Sequence, residues 1–213
     1  VLPVITLYTW TTPNGRKPSI MLEELGWKYE VKPVNIGKNE QFTDEFLAIA
    51  PNNKIPAIVD HDADGGPLSI FESGAILTYL AEKSGQFLPA SGPGRYKVLE
   101  WLHWQIGGLG PMLGQLGYFG VRAEEKTPAA IERFTEESDR LLTVMDRQLQ
   151  RHPYLAGSEY SIADISCYAW TVAATTFLGQ VLGERLDSKE ALHRWLETLG
   201  DRPAVQRGMK IPG

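Results

Sequence analysis

Hydrophobic and polar residues follow two different periods along this chain. Through its first part, short β-branched or aromatic runs are separated by turn residues and by amphipathic stretches. Val4-Ile5-Thr6-Leu7-Tyr8 predicts a strand running into the turn cluster Thr11-Thr12-Pro13-Asn14-Gly15. From Lys17 to Leu25 the spacing becomes helical, with Ile20, Met21 and Leu25 on one side and Gly26 as a stop. Tyr29 to Val34 alternates as a second strand, and Thr43 to Ala50 predicts a short helix that halts at Pro51. Ile55 to Val59 and Leu68 to Phe71 are two further strands, with Asp62 to Pro67 as a hairpin-like turn between them. Ser73 to Lys83, bearing Ile76, Leu77 and Leu80, is a covering helix closed by Gly85.

A strand-helix-strand unit, a hairpin and a last helix form the plan of a thioredoxin-like domain, with right-handed crossovers between parallel strands. Glycine and proline then become frequent from Gly85 to Gly94, and beyond them every period is helical. Tyr96, Leu99, Leu102 and Ile106 recur at three- and four-residue steps, as do Phe134, Leu141, Met145 and Leu149. Thr127-Pro128 is a plausible helix start, and Ser161 with Asp164 makes a capping-box variant at the head of a long uncharged helix. Asp201-Arg202-Pro203 opens a last short element. The expected organisation is an α/β thioredoxin-like domain over residues 1–84, a linker at 85–94 and an all-α C-terminal domain over 95–213.

Composition narrows the possible functions. The chain has 213 residues, 43% hydrophobic and 22% charged, with a formal net charge of -5, so no basic stripe invites nucleic acid. The longest charge-free run, Ile165 to Gly183, carries hydroxyl and amide side chains and is bracketed by Asp164 and Glu184, which predicts a buried core helix and no membrane span. The first residues lack the basic-then-apolar pattern of an export signal. Cys167 is the single cysteine, which excludes an internal disulfide and fits a cytoplasmic location. His61, His103, His152 and His193 have no ligand spacing, so no metal is expected.

Three short segments could carry chemistry. Asn53-Lys54-Ile55-Pro56 places a proline at the entry to a strand, where a cis bond would turn the Ile55 backbone outward to pair with an extended peptide. Phe71-Glu72-Ser73-Gly74 passes from strand directly into helix. Ser73 and the first amides could cradle a carboxylate beside the negative Glu72, a pairing suited to a zwitterionic amino-acid end, although simple capping by Ser73 is the plainer reading. Thr11 to Gly15 offers donors at a helix start, either as a capped turn or for a thiolate. Bringing a free thiol from about 8.5 to neutrality takes roughly 2 kcal/mol. One hydrogen bond to a charged acceptor, about 1.5–3 kcal/mol, together with the helix dipole, about 0.3–1 kcal/mol, is sufficient.

In this order the segments resemble the cytosolic glutathione transferases, and the likeness covers nearly the whole chain. The strings Thr12-Pro13-Asn14-Gly15, Gln41-Phe42, Pro51 to Asp60, Phe71 to Leu77 and Trp104 to Met112 look like the bacterial Nu class and its yeast nitrogen-regulator relative. The resemblance implies a homodimer with glutathione as co-substrate. Its implied activity is disulfide-bond reduction with two glutathiones, or glutathione disulfide, in one site. The alternatives are a transferase or hydroperoxide peroxidase acting on small electrophiles, and a non-catalytic glutathione-binding regulator. It further implies that Thr12 and Asn14 meet the sulfur, that Ile55 pairs with the cysteinyl unit before a cis Pro56, and that Glu72 and Ser73 hold the γ-glutamyl end. Gln41 and Lys54 would face the glycine carboxylate, and Arg133 would bind the second glutathione.

Other residues have plainer explanations. Tyr8 lies inside the strand pattern and is expected to pack. Cys167, among Ile165, Tyr168 and Trp170, is expected to be an inert buried thiol. Trp101, Trp104 and Trp170 fit core packing better than a second-substrate pocket.

Overall fold

The computed structural model describes residues 4–213, which fall into two compact units. Unit one comprises the chain up to Leu88 together with Asp201–Gly213; unit two is Pro89–Gly200. Val1, Leu2 and Pro3 lie outside the described residues.

Unit one is built on a mixed sheet of β1 (Ile5–Thr9), β2 (Tyr29–Pro33), β3 (Ala57–Asp60) and β4 (Leu68–Phe71), in the order β2-β1-β3-β4. β1 runs parallel to β2, as the intervening helix α1 (Pro13–Leu25) requires, and antiparallel to β3, which forms a hairpin with β4. All of β1 is buried, because it is a central strand covered on both faces. Tyr8 and Ala57, directly opposite each other, join Val34, Phe46 and Ala50 in a small core on the side of α2 (Asp44–Ile49). Tyr8 is thus a packing residue, its ring 6.1 Å from that of Phe46.

α3 (Ser73–Ser84) packs against α1. So does α10 (Pro203–Gly208), near the end of the chain. Its backbone lies so close that a Cβ on Gly208 would sit 2.5 Å from the Cα of Ile20. Ser19 Oγ donates to the Gly208 carbonyl at 2.8 Å, and Arg202 forks onto Glu24 at 2.7 and 2.9 Å. Residues 201–213 therefore pack with unit one, whereas the sequence pattern had grouped them with the helices that precede them.

Unit two is helical: α4 (Pro93–Trp104), α5 (Gly110–Leu116), α6 (Pro128–Leu149), α7 (Ile162–Thr175), α8 (Gly179–Leu182) and α9 (Glu190–Gly200). Single π-helical turns at Gln105–Leu109 and Gly117–Arg122 flank α5. The uncharged run from Ile165 does not form one helix. α7 ends at Thr175, and the chain bends by 60° before the next helical segment. Among the described residues no single helix is long and apolar enough to cross a membrane, though that bent pair passes on length and composition. Ser161 and Asp164 form a reciprocal cap at the start of α7. Asp164 Oδ1 also accepts from Leu155 N at 3.0 Å and Trp195 Nε1 at 2.8 Å. Burial outweighs these donors and pushes the Asp164 carboxyl up to about 6.

Candidate functional site

The first wall of the site is the junction of β1 and α1. The helix starts at Pro13, four residues earlier than the periodicity indicates, because Thr12 caps it: Thr12 Oγ1 accepts from Gly15 N at 3.0 Å. Pro13, in the first turn, has no N–H to leave unsatisfied. The turn is drawn tightly onto the strand by Thr9 Oγ1 donating to the Gly15 carbonyl at 2.8 Å. A Cβ at Gly15 would stand 2.2 Å from the Trp10 carbonyl oxygen, so only glycine fits. Accepting from Gly15 uses a lone pair of the Thr12 oxygen and leaves its proton for a further acceptor.

The second wall is the loop into β3. Its Ile55-Pro56 bond is cis. Among the described residues the Ile55 amide and carbonyl make no hydrogen bond, so both remain open to a chain lying alongside.

The third wall is the passage from β4 into α3. Glu72 holds φ at 73°, a region that costs a non-glycine residue energy and that recurs at functional sites. Here the structure corrects the capping role considered for Ser73. Glu72 occupies the cap position without a side-chain hydrogen bond, and Ser73 is the first residue of the helix. The Ser73 oxygen instead accepts from Lys17 Nζ at 3.1 Å, and both residues are buried.

Asn14, Lys54, Ile55, Pro56, Phe71, Glu72 and Ser73 together line a cleft of about 160 Å³. Thr12 sits two residues before Asn14 as the helix cap. Gln41 is outside that lining, in the 3-10 turn Glu40–Phe42. Its side-chain oxygen is buried without a partner. Arg133 lies in unit two, exposed on α6. Cys167 is fully buried within α7, so it is no part of the cleft. Among the described residues no group of histidine, cysteine and carboxylate side chains is arranged to hold a metal.

Lys17 is the residue that pattern reading passed over. It shares the stripe of Ile20 and Met21, three and four positions on, and a lysine on an apolar helical stripe was the available signal.

Chemically, the cleft offers open backbone for an extended peptide, helix amides with a serine for an anion, and a carboxylate for a cation. Residues 3–82 match the family model described as the glutathione S-transferase N-terminal domain, and residues 128–198 match its C-terminal domain. Disulfide-bond oxidoreductase YfcG of Escherichia coli (strain K12) is 49% identical over 210 residues, which is 97% of this chain and 94% of the relative. The chain belongs to the glutathione S-transferase family. Among solved structures, a family member from Pseudomonas fluorescens with two glutathione bound superposes with a TM-score of 0.94 at 45% identity, covering 99% of this chain and 94% of that one. A glutathione transferase from Pseudomonas putida with one glutathione disulfide bound per subunit gives 0.93, also at 45%, covering 98% and 92%.

Proposed function

We propose that this chain binds glutathione in the cleft of unit one and uses it to reduce small disulfides. The reading rests chiefly on one observation: the unpaired backbone of Ile55, the Glu72 carboxylate, the Ser73 hydroxyl at a helix start, and Asn14 all line the same cleft, which contains no cysteine. The tripeptide would lie extended along Ile55, with its γ-glutamyl carboxylate at the start of α3, its ammonium at Glu72 and its glycine carboxylate toward Lys54 and Gln41. Thr12 and Asn14 would stabilise its thiolate.

The chemistry then balances without any sulfur from the protein. A glutathione thiolate attacks one sulfur of the disulfide and expels a thiolate, leaving a mixed disulfide. A second glutathione, for which Arg133 is the proposed contact, attacks the first glutathione's sulfur and releases the other thiolate. The products are two thiols and glutathione disulfide. Holding both sulfurs close together supplies much of the rate. The relatives that bind two glutathiones or their disulfide support this scheme over simple conjugation to an electrophile. A homodimer and a cytoplasmic setting belong to the same proposal.

Calorimetry with reduced and oxidised glutathione, paired with an assay of hydroxyethyl disulfide reduction, tests it. Heat with both forms and turnover retained within about threefold in Cys167→Ala are expected. No heat with either form, or abolished turnover in that variant, would overturn it.

A further inference from the structure

Beneath the start of α3 lies a lysine with almost no exposed surface. Lys17 is 1% exposed, and its Nζ donates to Ser73 Oγ across 3.1 Å. Taking an ammonium out of water costs several kcal/mol unless polar groups compensate, so packing alone is a poor reason for this placement. The donor and acceptor inventories supply a better one. An ammonium has three protons and no lone pair, whereas a serine hydroxyl has one proton and two lone pairs. At this contact the serine is obliged to accept, and its only proton turns away from Lys17. No acceptor among the described residues takes that proton, and Ser73 lines the cleft.

We infer that Lys17 is a positioning residue. It acts through the Ser73 hydroxyl alone, holding it as a donor toward the γ-glutamyl carboxylate. This deepens the glutathione reading and rests on it. Were Lys17 only a strut between α1 and α3, its loss would weaken every ligand of the cleft alike.

The test uses glutathione and 4-aminobutyryl-cysteinyl-glycine, which differs from it only in lacking the α-carboxylate. Dissociation constants are measured by calorimetry for the intact chain and for Lys17→Met, Lys17→Arg, Ser73→Ala and the Lys17→Met/Ser73→Ala double variant. Lys17→Met and Ser73→Ala should each weaken glutathione about tenfold, ~1.4 kcal/mol, and the analogue less than about twofold. The double variant should be no worse than Ser73→Ala, since one hydroxyl carries both effects. Lys17→Arg, also donor-only, should restore glutathione to within about threefold. In turnover, KM for glutathione should rise while kcat holds, because the sulfur is held elsewhere.

Equal losses for the two ligands, or an additive double variant, would overturn the inference. Should Lys17→Met fail to fold, Ser73→Ala still decides, since an undiminished preference for glutathione in that variant refutes it. An intact chain that binds neither ligand would instead bring down the glutathione reading itself.

Discussion

At the residue scale, the decisive contacts are a few backbone approaches that leave no room for a side chain. Gly15 lets the first turn of α1 close onto the end of β1, where a Cβ would meet the Trp10 carbonyl at 2.2 Å. Gly15→Ala should therefore cost about 3 kcal/mol in urea denaturation and lose glutathione binding, since neither backbone segment can move without opening the sheet. Binding and stability at wild-type levels would show that the approach is looser than described. Thr12 carries two burdens that can be separated. As a cap, its loss in Thr12→Ala should cost about 1 kcal/mol of stability. As a thiolate donor, the same change should lower disulfide-reductase turnover at least ~10-fold. Thr12→Ser keeps the hydroxyl and should retain most of both. Turnover that survives Thr12→Ala would remove the hydroxyl from the mechanism and leave Asn14 and the helix dipole to act alone.

At the element scale, α7 shows how a cap becomes a structural hub. The pairing of Ser161 with Asp164 is legible from spacing, but the carboxylate's further bonds to Leu155 N and Trp195 Nε1 join residues far apart in sequence. Burial raises the Asp164 carboxyl from its ordinary value of 3.8 to about 6. For an acid raised on folding, the native state binds the extra proton. The associated stability is complete below the unfolded pKa and is lost as pH rises through the native one. Wild-type stability should thus fall between about pH 4 and pH 6 relative to Asp164→Asn, which cannot titrate, and the difference should be flat above that range. Denaturant titrations of both proteins at several pH values measure it. A difference of opposite slope would mean that the three N–H donors, not burial, control this group.

At the scale of the whole molecule, the end of the chain returns to unit one. Ala204, Val205 and Gly208 of α10 are buried, and Arg207 Nε meets Glu23 at 2.5 Å. Deleting residues 201–213 would expose the Ile20 face of α1, so amide hydrogen exchange should show protection lost in α1 and kept in α7. Unchanged protection in α1 would show that α10 only decorates the surface. No pattern within Asp201–Gly213 announces this return, because a short helix has the same period whichever neighbour it packs on. By itself the sequence determined the strands, the main helices, the caps at Thr12 and Ser161 and the residue types of the cleft, since these follow from short-range periodicity, turn chemistry and hydrogen-bonding capacity. Tertiary structure alone decided that Glu72 takes the strained cap position, that Ser73 accepts from a buried Lys17, and that α10 closes on α1. Those outcomes depend on which distant backbones approach within a few ångströms, and local propensity contains no information about that distance.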